Sequence, residues 1–368
     1  MSDSIYLDYN ATAPFRPGVK EFYINLLDLP GNASSVHKYG REARKHIETA
    51  RAQIAKLVNT KPENITFNSG ATEANNTVLN AYKGEGIIIS AGEHPSVTQS
   101  TIENDYIRLT EDGILDPNHF EEILARTPPP ALISVMTVNN ETGVIQPIDD
   151  LIEICHMRGI KVHTDATQAI GRMPVDLGKS PADYTSFSSH KIGGPQGVGV
   201  LIPHEADRAP PPLIHGGGQE GYRRAGTENF AAIAAFGAAA EHARTHLEDY
   251  QQLVFLRNKL EDGLKEIAHD AIIFGERVKR VPNTTCCAIP GISAETVLIA
   301  LDLEHIAISS GSACSSGKIA RSHVLQAMGV DEDLMSSALR ISTGWGTEEQ
   351  HIDRLLNAME TIIKRVRS

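Results

Sequence analysis

Short apolar segments that alternate with helical segments constrain the fold of this chain more than any other feature. Residues 43–58 have the periodicity of an amphipathic helix, and a second helix is predicted to begin at Gly70, Ala71 and Thr72. Strand-like runs recur along the chain, and they are NITFNS at 64–69, GIIIS at 86–90, ALISVMTVNN at 131–140, IKVHTDAT at 160–167, DYTSFSSH at 183–190 and GVGVLIP at 197–203. Short apolar strands joined by helices predict an α/β fold with a mostly parallel sheet that helices cover on both faces.

The pattern changes after Thr227, where a long helical stretch with a broad Ala-rich face covers residues 229–267. Beyond this stretch, the strand-like runs TTCCAI and SALRIS lie among helical segments, which is typical of an α+β arrangement. With 368 residues the chain is longer than one typical domain. We therefore expect a large domain over residues 15–250 and a small domain formed by residues 1–14 and 251–368.

The charge balance narrows the range of partners. The chain carries 46 acidic and 34 basic residues, which give a formal net charge of -12. No segment concentrates enough basic residues to attract phosphates, so we expect neither a nucleic-acid partner nor a membrane partner. The N-terminal sequence MSDSIYLDYN lacks the basic start and apolar stretch of a secretion signal, and no apolar run has the length of a membrane span. We therefore expect a cytoplasmic protein.

Four cysteines, Cys155, Cys286, Cys287 and Cys314, fit a reducing compartment better than a disulfide framework, and none forms a CxxC pair. Cys286 and Cys287 are neighbours in the strand-like NTTCCAIP, so their side chains are expected to point to opposite faces. We expect these two thiols, and Cys155 on a predicted helix, to be buried structural residues.

Polar side chains follow the predicted strands where each strand ends. In an open α/β sheet, ligands bind beyond the carboxyl ends of the strands, so these side chains are candidates for one site. The candidates in chain order are Ala71 and Thr72 at a helix start, His94, Asn140, Asp165, Gln168, Ser188, His190 and Lys191.

This set of residue types matches the different atoms of one cofactor, pyridoxal 5'-phosphate. A lysine bonds covalently to its aldehyde, a carboxylate keeps its pyridine nitrogen protonated, and a helix N-terminus accommodates its phosphate. Each type alone is weak support, since a lysine in a Gly-rich loop is usually a surface residue. The His163 and Asp165 pair could instead suggest a metal, yet no third ligand stands out nearby, and we expect no metal site.

Several motifs give the chain a specific resemblance. The segments YLDYNATAP, SGATEANN, EHPSV, VNNETGVIQP, HTDATQ, SFSSHKIGGPQG, RRAGTEN and SGSACSSG occur in this order between about residue 5 and about residue 350. They resemble the motifs of cysteine desulfurases, which are pyridoxal-phosphate enzymes of the class V aminotransferase group. The resemblance implies the aspartate-aminotransferase-like fold, known as fold type I, and removal of sulfur from L-cysteine.

The resemblance also implies a role for each candidate residue. Lys191 would hold the cofactor, and Asp165 would pair with its pyridinium nitrogen. Gln168 would hydrogen-bond the phenolic oxygen, and His94 would stack on the ring and help to move protons. The phosphate would be bound beside Ala71 by Thr72, Ser188 and His190.

The remaining implied roles concern the substrate and the partners. Thr227 would reach the phosphate of a partner subunit, which implies a homodimer. Arg340, together with Asn140 beside the cofactor and with Asn32, would hold the carboxylate of L-cysteine. Cys314 would accept the sulfur as a persulfide and pass it to a protein acceptor, either an iron-sulfur scaffold or a sulfur carrier.

Two other functions remain open from the sequence. Another pyridoxal-phosphate enzyme of this fold, such as a selenocysteine lyase or an aminotransferase, would share the cofactor residues, and Cys314 is the residue that discriminates. A non-catalytic scaffold would need none of Lys191, Asp165 and Arg340, so their presence argues against it.

Overall fold

The structure is a computed structural model in which residues 4–100, 105–311 and 321–368 are described. The strands in chain order are β1 Ile5–Tyr6, β2 Thr66–Asn68, β3 Ile87–Ser90, β4 Asp105–Ile107, β5 Leu132–Ser134, β6 Lys161–Asp165, β7 Tyr184–Ser188, β8 Gly199–Pro203, β9 Ile272–Ile273, β10 Thr284–Ala288, β11 Ile306–Ala307, β12 Ser309–Ser310 and β13 Ala338–Ser342. The helices are α1 Val19–Leu27, α2 Lys38–Leu57, α3 Ala71–Ala81, α4 Pro95–Thr98, α5 Pro117–Leu124, α6 Ile148–Met157, α7 Phe230–Thr245, α8 Leu247–Gln251, α9 Leu253–Ile267, α10 Ala294–Leu303, α11 His323–Ala327, α12 Glu332–Met335 and α13 Glu349–Arg367.

The main sheet is mostly parallel, as the sequence predicts. Within the described ranges it has seven strands in the order β2-β8-β7-β6-β5-β3-β4. Strands β4, β3, β5, β6 and β7 run parallel to one another, and β8 is antiparallel to both of its neighbours. The carboxyl ends of β3, β5, β6 and β7 therefore meet at one edge, together with the end of β2. This is the edge at which the candidate residues were expected.

The helical layer on one face depends on small residues. The Ala-rich helix α7 packs closely on α2, and its Ala232, Ala235 and Ala239 are fully buried in one core with Ile54 of α2. Gly237 lies at this contact, since a Cβ placed on it would lie 2.6 Å from the Cβ of Ala50. The broad Ala-rich face thus allows two long helices to approach closely.

A smaller sheet lies in the C-terminal part of the chain. Its strands are antiparallel in the order β12-β13-β10-β9, and β1 from the N-terminus pairs with β11. Cys286 and Cys287 of β10 are fully buried in two different cores, so adjacent strand residues point to opposite faces as predicted. Ile5 and Leu7 share a core with Leu260 and Leu264 of α9. The domain boundaries at 14/15 and 250/251 remain a prediction.

The N-terminal segment runs from the small sheet to the edge of the main sheet. Residue Ser342 of β13 donates its backbone N–H to Leu7 at 2.8 Å, and Tyr9 donates to Ser342 at 3.2 Å. A few residues later, Ala13 donates to the carbonyl of His190 at 2.9 Å. Residues 8–12 therefore cross between the two sheets.

Two predicted elements differ from the structure. The helical stretch 229–267 is divided into α7, α8 and α9, and the hydroxyl of Thr245 at the first break donates to the carbonyls of Glu241 and His242. Such side-chain bonds compete with the helical ladder. The run 131–140 forms a strand only over β5, since the chain turns at residues 139–143, where Gly143 has a φ of 74°.

Among the described residues, no helix combines the length and the apolar character that spanning a membrane requires.

The α2–α7 contact yields a stability prediction. Gly237→Ala is expected to destabilise the protein by about 1–3 kcal/mol, because the new methyl group overpacks the contact and this outweighs the gain in helix propensity. Urea unfolding followed by far-UV circular dichroism measures the effect. Ala238→Ser, at a half-buried position on the same helix, is the control, and equal or higher stability of Gly237→Ala would contradict the close approach.

Candidate active site

A cavity of about 310 Å³ lies at the carboxyl edge of the main sheet. It brings together most of the residues that the sequence singles out. Those that line it are Ala71, Thr72, His94, Asn140, Asp165, Gln168, Ser188, His190, Lys191 and Arg340. Its size suits a ligand of cofactor dimensions rather than a macromolecule.

Lys191 is placed by a short 3-10 turn over Ser189–Lys191, which follows β7 directly. Its Nζ donates to the backbone carbonyls of Asn10 at 2.5 Å and Ala11 at 2.7 Å. The N-terminal segment therefore holds the end of the lysine side chain inside the cavity. A surface lysine would have its amine in solvent, so the structure argues against that reading of Lys191.

Asp165 ends β6 and is 5 % exposed. One carboxylate oxygen accepts a hydrogen bond from the backbone N–H of Thr167 at 2.9 Å, and the other accepts from Nδ2 of Asn75 at 2.8 Å. Both hydrogen bonds satisfy oxygens of a buried carboxylate. The Asp165 carboxylate is thus held in a fixed position at the wall of the cavity.

His94 caps the N-terminus of α4, and its Nδ1 accepts from the backbone N–H of Ser96 at 3.1 Å. Because a backbone N–H can only donate, the neutral ring carries its proton on Nε2. Burial lowers the pKa of His94, whereas Asp165 raises it, and the neighbouring Lys191 and His323 lower it further. A neutral imidazole of this kind can both stack on an aromatic ring and exchange a proton.

The N-terminus of α3 forms the end of the cavity that suits a phosphate. The backbone N–H of Ala71 donates to the hydroxyl of Ser188 at 2.7 Å, and Thr72 lies beside it in the first turn. His190 contacts the hydroxyl of Thr12 through Nδ1 at 3.1 Å. Burial, with the charges of Lys191 and Arg172, lowers the pKa of His190 to about 4. Free helical N–H groups and hydroxyls are donors that an anion prefers.

Arg340 of β13 approaches the cavity from the small sheet and is 2 % exposed. It donates to the backbone carbonyl of Asn140 at 3.2 Å and to the carboxylate of Asp8 at 2.8 Å. These contacts hold the guanidinium on two sides, and the rest of the group lines the cavity. A guanidinium held in this way suits a carboxylate ligand.

Unsatisfied polar atoms test whether the cavity fits the predicted cofactor and substrate. Among the described residues, the buried Oε1 of Gln168, Oδ1 of Asn140, Oγ1 of Thr167 and Nε of Arg340 have no hydrogen-bond partner. All four residues line the cavity. Because buried polar groups normally find a partner, this pattern fits a polar ligand such as pyridoxal phosphate with an amino-acid substrate.

Two predicted residues, Asn32 and Thr227, do not line this cavity. Asn32 is exposed and its Oδ1 accepts from the backbone N–H of Ser34 at 2.9 Å. Thr227 is exposed and lines a different, smaller cavity with Arg224. Cys314 lies outside the described residues. The roles of Asn32, Thr227 and Cys314 therefore remain predictions.

The predicted site residues did not include Asn10, Asn75, Ser96 and Thr167. Nδ2 of Asn75 donates to two residues that line the cavity, Asp165 at 2.8 Å and Ser96 at 2.9 Å. Asn10 lines the cavity itself, and its Nδ2 donates to the backbone carbonyl of Asn140 at 3.2 Å. Asn10 and Asn75 lie within the quoted motifs YLDYNATAP and SGATEANN. Attention to the motif residues that carry amides, rather than to charged residues alone, would have found them.

Glu220 was also missed, because the sequence HGGGQEG suggests only a flexible loop. Its carboxylate is 2 % exposed and binds the guanidinium of Arg51 through two hydrogen bonds of 2.8 and 2.9 Å. It also accepts from the backbone N–H of Phe67 at 2.8 Å. The loop before Thr227 is therefore anchored to α2 and β2.

Two other places in the structure, a larger cleft and the surroundings of His163, lack this combination of polar residues. A larger cleft of about 930 Å³ is lined by Thr164 and Thr185, which alternate with Asp165 and Ser186 and so face the opposite side of the sheet. It contains none of the predicted residues. His163 binds the hydroxyls of Ser134 and Ser186, and the described part of the chain has no cluster of three residues suited to a metal ion.

Comparison with known proteins places this geometry in a family. The family model described as aminotransferase class-V matches residues 5–355. The cysteine desulfurase IscS of Dictyoglomus turgidum is 37% identical over 383 residues, which cover 100% of this chain and 96% of that protein.

Solved structures agree with these relatives. A NifS-like protein from Rickettsia africae has a TM-score of 0.92 and 37% identity, covering 98% of this chain and 99% of that chain. A structure described as SspA in complex with cysteine has a TM-score of 0.79 and 30% identity, covering 92% and 98%. The likeness confirms the predicted α/β fold of the fold type I enzymes.

The lowered pKa of His190 predicts acid sensitivity of the cofactor-free protein. Protonation is disfavoured in the folded state, so the contribution of His190 to stability is complete above about pH 6.5 and is lost as the pH falls towards about 4. His190→Gln removes this titration, and the parent should lose more stability than the variant across that window. Urea unfolding at several pH values measures it, with the exposed His269→Gln as control. The same pH dependence in parent and His190→Gln would contradict the prediction.

Proposed function

The chain belongs to the aminotransferase class-V family and is a pyridoxal-phosphate-dependent cysteine desulfurase, and we propose that it transfers sulfur from L-cysteine to Cys314. The observation that carries the proposal is one cavity that holds Lys191, Asp165, His94 and Arg340 together. These are a covalent anchor, a partner for a ring nitrogen, a proton carrier and a carboxylate ligand.

The residues that would hold the cofactor surround the cavity from β6, β7 and α3. Lys191 would bond to it, Asp165 would pair with the ring nitrogen and Gln168 would bind the phenolic oxygen. Ala71, Thr72, Ser188 and His190 would bind the phosphate. Bound pyridoxal phosphate supplies an electron sink that allows a proton to leave the α-carbon of an amino acid.

The substrate-binding end combines Arg340 and Asn140. Arg340 lines the cavity, and its Nη1 and Nη2 bind Asn140 and Asp8. Among the described residues, its Nε and the side-chain Oδ1 of Asn140 have no hydrogen-bond partner. A substrate carboxylate would satisfy the guanidinium. The relative solved with bound cysteine, SspA, supports L-cysteine as the amino acid in this place.

Proton movement is assigned to Lys191 and His94. The Lys191 amine would be the base that takes the proton from the α-carbon, since its Nζ is held in the cavity by the carbonyls of Asn10 and Ala11. In its neutral form the His94 ring carries a proton on Nε2, and it would exchange this proton with the reacting groups. Its lowered pKa keeps the ring neutral and able to act in both directions.

The sulfur step is proposed for Cys314. Its thiolate attacks the sulfur of L-cysteine, and an S–S bond forms while the bond from sulfur to the β-carbon breaks. The electron pair stays with the carbon, which takes up a proton, so L-alanine and a persulfide on Cys314 are the products. Attack by a thiolate on sulfur requires no further oxidant, because L-cysteine supplies the sulfur and accepts the electron pair.

The other three thiols do not suit this role. Cys155, Cys286 and Cys287 are fully buried. Burial raises the pKa of Cys155 and of Cys287 to about 12 and raises that of Cys286 well above its ordinary value. A protonated, inaccessible thiol is a poor nucleophile, which supports Cys314 as the acceptor.

The proposed context is a cytoplasmic homodimer that passes its sulfur to a protein acceptor. The persulfide must leave to regenerate the thiol, so an iron-sulfur scaffold or a sulfur carrier is the expected partner. Exposure of Thr227 on a loop that Glu220 anchors supports its proposed reach to the phosphate in a partner subunit. A selenocysteine lyase or a general aminotransferase is not favoured, because the relatives that match over the full length are cysteine desulfurases.

Lys191→Ala tests the cofactor assignment. The variant loses the covalent anchor, so the visible absorption of the purified protein is expected to disappear and alanine formation from L-cysteine to fall by at least about a thousandfold. Absorption spectra and alanine release measure the two effects. Lys161→Ala removes a lysine that pairs with Asp183 instead and is the control. Retention of both absorption and turnover in Lys191→Ala would contradict the assignment.

Cys314→Ser tests the sulfur acceptor. Mass mapping of peptides after mixing the enzyme with L-cysteine, without reductant, should find one additional sulfur on the Cys314 peptide of the parent. Cys314→Ser should carry no persulfide, while Cys155→Ala, which changes a buried thiol, should still modify Cys314. Alanine release with an unmodified Cys314 in the parent would contradict the proposal.

A further inference from the structure

Asp8 binds both Arg340, which would hold the substrate carboxylate, and Ser309 of β12, the strand that precedes Cys314 in the sequence. One carboxylate oxygen of Asp8 accepts from Arg340 at 2.8 Å, and the other accepts from the hydroxyl of Ser309 at 2.7 Å. Ser309 of β12 also lies directly opposite Arg340 in the pairing with β13. Since the Asp8–Arg340 pair is largely buried, it is a firm attachment point for Ser309.

Glu141 makes a second connection, to Ser322, which follows Cys314 in the sequence. The buried carboxylate accepts from the hydroxyl of Ser322 at 2.5 Å. Glu141 directly follows Asn140, whose backbone carbonyl accepts from Arg340 at 3.2 Å. Burial raises the pKa of Glu141 to about 7, whereas the Ser322 hydroxyl and the charge of Arg340 lower it, so both neighbours favour the carboxylate.

Glu141 also lies close to Gly311, which follows β12. A Cβ placed on Gly311 would lie 3.2 Å from Oε2 of Glu141, so the backbone approaches the carboxylate closely here. Cys314 is three residues after Gly311 and eight residues before Ser322 in the sequence. Ser309 is therefore bound to Asp8, which holds Arg340, and Ser322 is bound to Glu141, whose neighbour Asn140 holds Arg340 through its carbonyl.

We propose that Asp8 and Glu141 are positioning residues, which hold the two flanks of the Cys314 segment in register with the substrate-binding arginine. The inference rests on the proposed function of Cys314. Nucleophilic attack requires the two sulfur atoms to meet in a defined geometry, and a small misplacement reduces the rate strongly. These contacts fix Ser309 and Ser322, which are described residues before and after Cys314 in the sequence, relative to the residues around the substrate-binding arginine.

The serine partners allow the connections to be removed while Asp8, Glu141 and Arg340 stay in place. Ser309→Ala removes the contact to Asp8, and Ser322→Ala removes the contact to Glu141 together with the N-cap of α11. Ser309→Thr and Ser322→Thr retain a hydroxyl and are the conservative variants. Ser336→Ala is the matched control, because it loses one exposed hydrogen bond to the carbonyl of Asp333.

The experiment uses the holoenzyme and two readouts. The dissociation constant for L-cysteine is measured from the change in visible absorption, and the rate of Cys314 persulfide formation in one turnover is measured by mass spectrometry. We expect Ser309→Ala and Ser322→Ala to form the persulfide about ten to a hundred times more slowly, with a dissociation constant within about twofold of the parent. The threonine variants should recover most of the rate, and Ser336→Ala should match the parent.

Two results would overturn the inference while leaving the proposed function intact. One is persulfide formation at the parental rate in both alanine variants. The other is a loss of rate that is matched by an equal rise in the dissociation constant, which would mean that substrate binding alone had been damaged. A parent enzyme that releases alanine without modifying Cys314 would overturn the proposed function and this inference together. Thermal melting of each holoenzyme separates these results from general unfolding.

Discussion

The hydrogen bonds of Asn10 are the interaction on which the rest of the site depends. Its backbone carbonyl accepts from the amine of Lys191 and from the amide of Gln168 at 3.1 Å, and its Oδ1 accepts from Arg172 at 2.5 Å. Its Nδ2 donates to the hydroxyl of Thr284 at 3.0 Å in the small sheet. One 1 % exposed asparagine thus joins the lysine, the main sheet and the small sheet. Because a buried amide that loses a hydrogen bond destabilises the protein, this arrangement tolerates little displacement.

The same requirement explains how charged groups remain in a buried site. Asp165 is surrounded by neutral donors from Asn75 and Thr167, while Arg340 lies between Asp8 and Asn140. Partners of this kind offset the loss of hydration that burial imposes. Buried atoms of Gln168, Asn140 and Arg340 that lack a partner in the described part of the chain are available to bind a ligand. The stability of the protein and its ability to bind a ligand therefore depend on the same residues.

Much of the fold and site could be predicted from local sequence. Short apolar runs and helical periodicity indicated β3, β6, β7 and α3, and the parallel arrangement placed their polar ends together. Contacts between residues far apart in the sequence could not be predicted in this way. Nothing near Glu220 in the sequence indicates that Arg51, 169 positions away, binds it. The division of 229–267 into three helices was also missed, since the Ala-rich pattern continues while the hydroxyl of Thr245 competes for backbone carbonyls.

The sequence by itself determined the alternation of strands and helices in the main sheet, the residue types for the cofactor and the opposite orientation of Cys286 and Cys287. These properties follow from the local periodicity of the chain and from motifs that are contiguous in sequence. Only the tertiary structure decided that Asn10 lines the cavity that holds Lys191, and that Asp8 holds Arg340 beside it. Contacts between residues more than 180 positions apart, such as Lys191 with Asn10, arise from packing of the two sheets, and no local pattern encodes them.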